Sequence, residues 1–327
     1  AEGKGGAVDG SNITQNIIAT DTITIDAALL ANTATADDEH DVIAGYHAIE
    51  FMLWGQDLNA SGNPTTGADR DDAVKAYMDT HGGQRPLADF DSIIANDAAD
   101  RRHQYMVVAV DKLIADLEGV QAGWAPDVEE NYRAKFTTIT TEADAKQKLT
   151  EILTGMGTLS EGELAGERMQ IAFSANSQED EHSCFSDNTH RDIWLNAEGV
   201  SNSYTGTYAG YDSTLNGADD VNTNAVNGYG IDQYLSDVGL NLVAATTTAA
   251  LALTETNYKK IDAAARDGQP FDVLIMNPTI EGPVAQTIIS LSTQSRAIQA
   301  AATSLGLNEV VDGGASECNT QSPLTEC

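Results

Sequence analysis

The sequence predicts an all-α fold in which two helical-bundle domains pack together and carry long ordered loops. Apolar residues recur at spacings of three and four over most of the 327 residues, which is the period of an amphipathic helix. Strand signals are scarce, because apolar and polar residues rarely alternate and no hairpin dipeptide separates such runs. A hydrophobic content of 41% is enough for a packed core and argues against a disordered chain.

Helical spacing places the predicted elements in order along the chain. It predicts helices over residues 37–54, 71–79, 92–117, 141–175, 231–266 and 281–305. The helix 141–175 is expected to be interrupted or weakened at the glycines 155, 157 and 162. The stretch 196–230 is rich in Gly, Asn, Tyr, Thr and Asp and is interpreted as a long ordered loop. The domain boundary is placed near residue 140, which gives an N-terminal helical domain, 1–140, and a C-terminal helical bundle, 141–327.

The charge balance of the chain is strongly acidic. It has 17 Lys and Arg against 50 Asp and Glu, a formal net charge of −33 at pH 7. Such a surface repels phosphate backbones, which argues against a nucleic-acid partner, and it concentrates cations. Solubility alone is the simpler explanation of the acidity. No apolar run approaches the roughly 18–20 residues of a membrane-spanning helix, so no transmembrane segment is predicted.

The three cysteines, Cys184, Cys318 and Cys327, permit three different single disulfides. Cys318 and Cys327 lie in a polar tail without a packing pattern, where two thiols would be exposed. A disulfide that closes this small loop is the simplest interpretation, and it implies an oxidising compartment. The sequence alone leaves the pairing open.

His47 and Glu50 form an HxxE pair inside the first long predicted helix. The spacing i, i+3 puts both side chains on one face, among apolar neighbours such as Phe51 and Trp54. Burying two ionisable groups there is unfavourable unless they bind each other, a partner or a metal. An imidazole nitrogen and a carboxylate oxygen suit iron or zinc. The pair is therefore interpreted either as a metal site or as a hydrogen-bonded structural pair.

Residues 179–192 contain the densest group of potential ligands in the chain, with two histidines, one cysteine and five carboxylates. The candidate site residues in this segment are Glu181, His182, Asp187 and His190. The segment follows a predicted helix that carries Glu167 and Arg168, which are interpreted as a charge pair or as an anchor for an anion. A solvated acidic loop without a ligand is the alternative.

The motifs of common hydrolases and nucleotide-binding enzymes are absent from the sequence. It contains no HExxH, no GxSxG and no P-loop, and no GxGxxG follows a strand. Without these motifs, no recognised peptidase mechanism can be written from the residues.

The stretch from Gly45 to Asp57, GYHAIEFMLWGQD, resembles the GxHxxE signature of the imelysin family, which includes iron-regulated proteins of the protein A type. The resemblance covers nearly the whole chain. It continues through QRP at 84–86, DF at 89–90, RR at 101–102 with Tyr105, GERM at 166–169, EDEHSCFSDNTH at 179–190 and PFD at 270–272. The segment 179–190 is far more specific than the HxxE pair, and the sequence is identified as a member of this family.

The resemblance implies an exported bacterial protein that is periplasmic, associated with the outer membrane or extracellular. It implies two helical bundles with the signature near their interface. The site residues that it implies are His47, Glu50, Glu167 and Arg168, with further groups from 179–192. Family members usually have helices before the point at which this sequence begins. The N-terminal domain is therefore expected to lack its usual first helices. Either the sequence is a fragment, or a separate N-terminal segment or a partner chain completes the bundle.

The family is classed with metallopeptidases of the M75 type, and its members are linked to iron uptake. The leading hypothesis is a non-enzymatic protein that binds iron or another divalent metal through His47 and Glu50. The rival is a metallopeptidase in which Glu50, or a carboxylate of the second cluster, activates a metal-bound water. A third hypothesis is a metal-independent module for a small ligand or a protein, in which Arg168 holds an anionic group.

Overall fold

The computed structural model describes residues 17–31, 43–55, 85, 87–91, 98–178, 180–210, 224–307, 318–325 and 327. The chain forms two compact units, each of which is described by itself. The first unit ends at Thr138, and the second comprises Ile139–Cys327 with the short piece Thr65–Asp71. Whether these units are the independent domains predicted at 1–140 and 141–327 stays a prediction. The predicted all-α class is confirmed, since the described elements are helices apart from one short two-stranded ribbon.

The first unit is built from short helices around one long helix. Its elements are α1 (Ala27–Ala31), α2 (Tyr46–Trp54), a 3₁₀ helix (Leu87–Phe90), α3 (Ala99–Trp124) and α4 (Tyr132–Thr137). Helix α3 continues seven residues past the predicted end at 117, and α2 ends before Gly55 as predicted. The predicted helix 71–79, and residues 37–42 and 92–97 of two other predicted helices, lie outside the described residues. Residues 43–45, predicted as helix, are not helical, because Gly45 has a left-handed φ of +93° that a right-handed helix does not allow.

The core of the first unit joins the chain before α1 to the long helix α3. Its buried side chains are Ile17, Ile18, Ile25, Leu30, Met52, Tyr105 and Ala109. The guanidinium of Arg101 holds the chain before α1 against α3. It donates to the carbonyls of Ile17, Ile18, Thr20 and Ile23 at 2.6–2.9 Å. The Tyr105 hydroxyl donates to the Ile43 carbonyl and so fixes the entry into α2. Burial raises the pKa of Tyr105 to about 12.

The second unit is a larger helical assembly with one unusual helix. Its elements are α5 (Glu142–Thr158), a π-helix (Leu159–Gln170), α6 (Ile171–Ala175), α7 (Thr189–Thr205), β1 (Thr207–Tyr208), β2 (Val226–Asn227), α8 (Ile231–Asp237), α9 (Asn241–Arg266), α10 (Phe271–Ile275) and α11 (Pro283–Ser304). A capping box between Thr141 and Asp144 begins α5, and proline in the first turn begins α11.

The predicted helix 141–175 is one continuous helical run whose hydrogen-bond register changes along its length. The glycines at 155 and 157 do not interrupt it. After Thr158 the run widens into the π-helix, at whose end the Ile171 amide bonds to the Gly166 carbonyl five residues earlier. The predicted helix 231–266 is divided into α8 and α9 by the turn around Gly239, whose φ is +86°.

The predicted loop at 196–230 is wrong over its first ten residues, which belong to α7. Ile193, Ala197, Val200 and Tyr204 are all buried along one face of this helix at spacings of four and three. The other faces of the helix carry mostly polar residues and glycine. These residues dominate the composition of the segment, which is why its composition predicts a loop. The described residues that follow form an antiparallel ribbon in which Thr207 pairs with Asn227 and Tyr208 with Val226.

Two adjoining hydrophobic clusters form the core of the second unit. Helices α9 and α11 pack along each other, and the π-helix packs on α11. One cluster centres on Phe173, Tyr258 and Phe271, and the other on Leu153, Tyr204 and Leu235. The favoured disulfide is confirmed, because Cys318 is bonded to Cys327, whereas Cys184 is buried and takes no part in it. Among the described residues, no helix has both the length and the apolar character needed to cross a membrane.

Candidate metal centre

The HxxE pair lies on α2 in the first unit, and its two side chains touch. His47 Nδ1 and Glu50 Oε2 are 2.7 Å apart, as the i, i+3 spacing predicts for one helix face. The imidazole side chain is 48% exposed and the carboxylate 11%. The arrangement therefore offers imidazole and carboxylate groups from one rigid helix, with the carboxylate shielded. The placement of this pair near the interface of the two domains stays a prediction.

The chain entering α2 is held in position by its neighbours. Gly45, just before the helix, has φ of +93°, a left-handed conformation that favours glycine. The carbonyl of Ile43 is bonded by the Tyr105 hydroxyl, and Met52 anchors the opposite face of α2 in the core. The pair His47 and Glu50 thus projects from a helix whose entry and inner face are both fixed.

Three carboxylates converge in the second unit, on residues that are distant in sequence. Glu181, Asp187 and Asp272 each place one oxygen within 4.8 Å of the others. Glu181 is 4% exposed and Asp272 6%, so two of the three lie in the protein interior. Two come from the turn-rich segment between α6 and α7, and the third from the first turn of α10. We call these three residues the carboxylate cluster.

Local backbone structure shapes the segment that supplies two of these carboxylates. The Glu181 amide donates to the Gln178 carbonyl at 3.1 Å, which closes a turn. Asp187 has a left-handed φ of +55°, which turns the chain into α7. The Ser183 amide donates to Thr189 Oγ1 at 2.9 Å, so that the segment is tied to the first residue of the same helix. These bonds hold Glu181 and Asp187 near each other although five residues lie between them.

His182 points to a different carboxylate. Its Nδ1 lies 3.2 Å from Asp192 Oδ2, and the same oxygen accepts a short hydrogen bond from the Ser183 hydroxyl. The other oxygen of Asp192 accepts from the side-chain amide of Asn188 at 3.0 Å. His182 thus belongs to a polar network at the start of α7 that is centred on Asp192.

His190 is likewise engaged by its own set of partners. Its Nδ1 lies 3.0 Å from the Asp187 carbonyl, and its Nε2 lies 3.8 Å from Asp262 Oδ1. Asp262, buried on α9, also contacts Arg191 and Arg266, at 3.7 Å and 2.8 Å. Burial of the ring is the main cause of a lowered pKa for His190, and the Asp187 carbonyl and Asp262 oppose it only in part. The neutral imidazole is therefore favoured at this position.

Glu167 and Arg168 lie on the π-helix of the second unit. Arg168 Nη2 is 2.9 Å from Glu163 Oε2, five residues earlier on the same helix. Glu167 is exposed. Arg168 therefore forms its ion pair with Glu163 and not with Glu167, the partner that the sequence suggested.

Sequence reasoning did not identify Asp272 and Asp262 as site residues. Asp272 lies within the PFD segment that carries the resemblance, yet it follows a proline–phenylalanine pair with no ligand spacing around it. Asp262 lies on a long helix among alanines. They approach residues 181–191 only because α9 and α10 pack near the start of α7. No local pattern in the sequence predicts that packing.

The donor set of the carboxylate cluster defines the chemistry that it can perform. Carboxylate oxygens are the ligands preferred by Mg²⁺, Ca²⁺ and Mn²⁺, whereas imidazole extends the preference towards iron and zinc. The cluster therefore suits a hard divalent cation, and the HxxE pair suits a transition metal.

Comparison with known proteins gives the family. The imelysin family model matches residues 5–308, and the chain belongs to the imelysin family. A solved structure described as an iron-regulated protein A precursor from Parabacteroides distasonis has the same fold, with a TM-score of 0.55. The two are 14% identical in sequence, over 88% of this chain and 70% of that one. No curated protein matches the sequence.

Proposed function

We propose that this imelysin-family protein binds a divalent cation, with iron the expected metal, in an iron-related role outside the cytoplasm. The observation that carries the proposal is the convergence of Glu181, Asp187 and Asp272 within 4.8 Å. Two further ligands, His47 and Glu50, belong to the proposal as a second set on the first unit.

The electrostatics of the carboxylate cluster favour a cation. Two like charges about 4 Å apart repel by about 4 kcal/mol at an effective dielectric constant of ~20, and Glu181 and Asp272 are both more than nine-tenths buried. The surrounding chain carries a net charge of −33 and adds to the negative potential. A divalent cation bound to the three oxygens offsets this repulsion more effectively than monovalent neighbours can.

The identity of the metal is supported by the family rather than by the donor set. A set of three carboxylates accepts Ca²⁺ and Mn²⁺ as well as Fe²⁺. The similar structure from Parabacteroides distasonis is described as an iron-regulated protein, which makes iron the first metal to test. His47 and Glu50 point to the same group of metals, because an imidazole nitrogen increases the preference for a transition metal over calcium.

The location proposed for the protein is supported by its disulfide. Cys318–Cys327 is bonded, and disulfides persist in oxidising compartments such as the periplasm and the extracellular space. An exported protein that captures iron before transport fits both the disulfide and the acidic surface, which concentrates cations around the molecule.

The deciding experiment is metal content after dialysis against equimolar Fe(II), Zn, Mn, Cu and Ca under nitrogen, measured by elemental analysis. Wild type is compared with Glu181→Gln/Asp272→Asn, with His47→Ala/Glu50→Ala, and with the control Glu142→Gln/Asp237→Asn. The control also removes two negative charges, one Glu and one Asp, but from exposed positions on α5 and α8. We expect the first variant to lose bound metal and the control to retain it.

The same samples separate the two ligand sets and test for an enzyme. If only the His47→Ala/Glu50→Ala variant loses its metal, the metal site is the HxxE pair and not the carboxylate cluster. Equal and negligible metal in wild type and all variants would contradict the proposal. Cleavage of an unfolded protein by the metal-loaded wild type, stopped by chelator and by Glu50→Ala, would instead establish the metallopeptidase.

A further inference from the structure

The disulfide loop between Cys318 and Cys327, of which the structure describes residues 318–325 and 327, packs against the π-helix. The side-chain amide of Gln170 donates to two backbone carbonyls of the loop, those of Asn319 and Thr325, each at 3.2 Å. The Thr320 hydroxyl makes a short hydrogen bond to Glu161 Oε1. Gln170 is fully buried and Thr320 is 3% exposed, so the contact between the loop and the helix excludes solvent at both residues.

These contacts lie at the two ends of the π-helix. Glu161 is in its first turn and Gln170 is its last residue, and both bind the same small loop. A π-helix is rare, and it occurs mostly as a single turn inside an α-helix, so a run from Leu159 to Gln170 is unusually long. A rigid body that binds both ends fixes the distance between them, and it therefore opposes conversion of this segment to another register.

The loop is rigid because of its disulfide. Cys318 and Cys327 are nine residues apart, and turns within the loop are closed by hydrogen bonds from the Ser322 and Thr325 amides, at 2.8 and 2.9 Å. Closing such a loop removes much of the entropy that a linear tail would lose on docking. Without the disulfide, the contacts at Glu161 and Gln170 would have to offset the conformational entropy that a flexible segment loses on docking.

The disulfide is also accessible to a reductant. Cys327 is exposed and Cys318 is half-buried, whereas Cys184 is buried. Exposed disulfides are the ones that exchange readily with thiols, because the attacking thiolate must approach along the S–S axis.

We propose that the Cys318–Cys327 loop is a redox-released staple that holds the helix Leu159–Gln170 in its π-register. The reductant is a dithiol, either a small molecule or a protein of the thiol–disulfide oxidoreductase class. One of its thiolates attacks Cys327 Sγ, which breaks the S–S bond and leaves Cys318 as a thiolate. The second thiolate of the reductant then displaces Cys327, so the reductant becomes a disulfide and the protein gains two thiols after proton uptake.

Release of the loop leaves the π-helix without its two end contacts. The helix then opens more often, and its backbone amides exchange faster with solvent. The inference does not rest on metal binding, since none of the contacts that carry it involves the carboxylate cluster or the HxxE pair.

Hydrogen exchange of the full chain, followed by mass spectrometry, tests the staple. Peptides covering 159–170 are compared in the oxidised protein, in the protein reduced with dithiothreitol, and after reoxidation. We expect reduction to accelerate their exchange by roughly tenfold or more, because the loop loses its closure and then gains entropy when it leaves the helix. Reoxidation restores the slow rate, and peptides from α9 and α11 serve as the internal reference.

The variant Cys318→Ser/Cys327→Ser provides the control for the reductant itself. It exchanges rapidly at 159–170 from the start, and dithiothreitol does not change that rate. Unchanged exchange at 159–170 in reduced wild type, with the tail peptide itself released, would overturn the proposal. A disulfide that stays intact in millimolar dithiothreitol would overturn it too. If the variant fails to fold, the reversible comparison on wild type decides alone.

Discussion

Glu163 and Arg168 are five residues apart on one helix, and their side chains meet with Arg168 Nη2 2.9 Å from Glu163 Oε2. In an α-helix, residues three or four apart share a face, and a spacing of five does not align side chains as well. This contact between side chains five residues apart is therefore consistent with the π-helical hydrogen bonding between Leu159 and Gln170. Arg168, which the family resemblance predicts as a site residue, meets Glu163 because of this wider helix.

Breaking that pair is expected to have a small effect on stability. Both side chains are partly exposed, at 24% for Arg168 and 39% for Glu163, and exposed ion pairs contribute about 0.2–1 kcal/mol. We expect Glu163→Gln to lower the free energy of unfolding in urea by less than about 1 kcal/mol. The exposed i, i+4 pair of Glu142 and Lys146, at 2.9 Å, is the matched control through Glu142→Gln. A loss several times that of the control would mean that the pair itself holds the π-register.

Replacing Arg101 is expected to destabilise the first unit strongly. Its guanidinium donates to four carbonyls in the segment before α1, and no other side chain can reproduce this planar set of donors. Arg101→Lys keeps the charge but leaves several carbonyls without their donor. We expect the free energy of unfolding to fall by about 2–3 kcal/mol, on the scale of hydrogen bonds to charged groups.

Limited proteolysis resolves where the Arg101 effect is felt. We expect cleavage within 17–31 to become faster in Arg101→Lys than in wild type, since the segment loses its tether. The exposed Arg133 on α4 gives the control Arg133→Lys, which should leave both readouts unchanged. Proteolysis that accelerates equally across the first unit would show instead that Arg101 supports the whole core.

The parts of the molecule that sequence predicts best are those determined by local spacing. The contact between His47 and Glu50 follows directly from their i, i+3 separation on α2. The last helix, predicted at 281–305, is found at Pro283–Ser304 because buried residues recur along it at spacings of three and four. The pairing of Cys318 with Cys327 was favoured because a polar tail offers no burial for two thiols.

The parts that sequence does not predict depend on contacts between distant elements. Asp272 approaches Glu181 and Asp187 only because α10 packs beside the segment before α7. The π-register is not predicted either, since its hydrogen bonds span five residues instead of four and leave no local pattern in the sequence. The glycines of this stretch suggest an interrupted helix instead. In α7, buried residues such as Ile193 and Tyr204 keep helical spacing, but Asn, Ser and Gly between them suggest a loop.

Stability is expected to fall in mild acid because of His190. Burial lowers the pKa of this histidine in the folded state, whereas the unfolded chain keeps a pKa near 6.5. Below that value the unfolded state binds more protons at this position than the folded state, so the free energy of unfolding decreases as the pH falls from about 6.5. Above it, both states are neutral and His190 makes no contribution to the pH dependence.

The pH effect is measured as the free energy of urea unfolding at pH 7.5, 6.5 and 5.5. We expect His190→Asn, which cannot be protonated, to show a shallower decline than wild type over this range. The carboxylates titrate in both proteins, so the difference between the two curves isolates the histidine. Parallel curves would show that His190 binds its proton equally well in the folded and unfolded chain.

Two glycines near the end of α7 are expected to respond to alanine with opposite signs. A Cβ at Gly199, inside the helix, would have no heavy atom within 4 Å, so Gly199→Ala should stabilise the protein by about 0.5–1 kcal/mol through helix propensity. Gly206 has φ of +67°, and a Cβ there would lie 2.8 Å from the carbonyl carbon of Tyr229. We expect Gly206→Ala to lower the unfolding free energy by about 1–3 kcal/mol. Thermal unfolding of both variants is the measurement, and equal shifts would contradict the turn geometry.

Replacing Asp272 by asparagine should change stability in opposite directions with and without metal. In the metal-free protein, Asp272→Asn removes a negative charge that lies within 4.8 Å of two others, which should raise the free energy of unfolding by on the order of 1 kcal/mol. With Fe(II) at about 100 times its dissociation constant, wild type should gain about 2.7 kcal/mol from binding, whereas the variant should gain little. Thermal unfolding under nitrogen, with chelator and with Fe(II), measures both effects.

The opposite signs make this test independent of general damage to the fold. A variant that merely packs badly is less stable under both conditions, and a cluster with no metal gives the same increase under both. Only a site in which the three carboxylates repel each other when empty and share a cation when filled makes Asp272→Asn stabilising in chelator and destabilising in Fe(II). The exposed replacement Asp237→Asn on α8 should leave the Fe(II) increment of wild type unchanged.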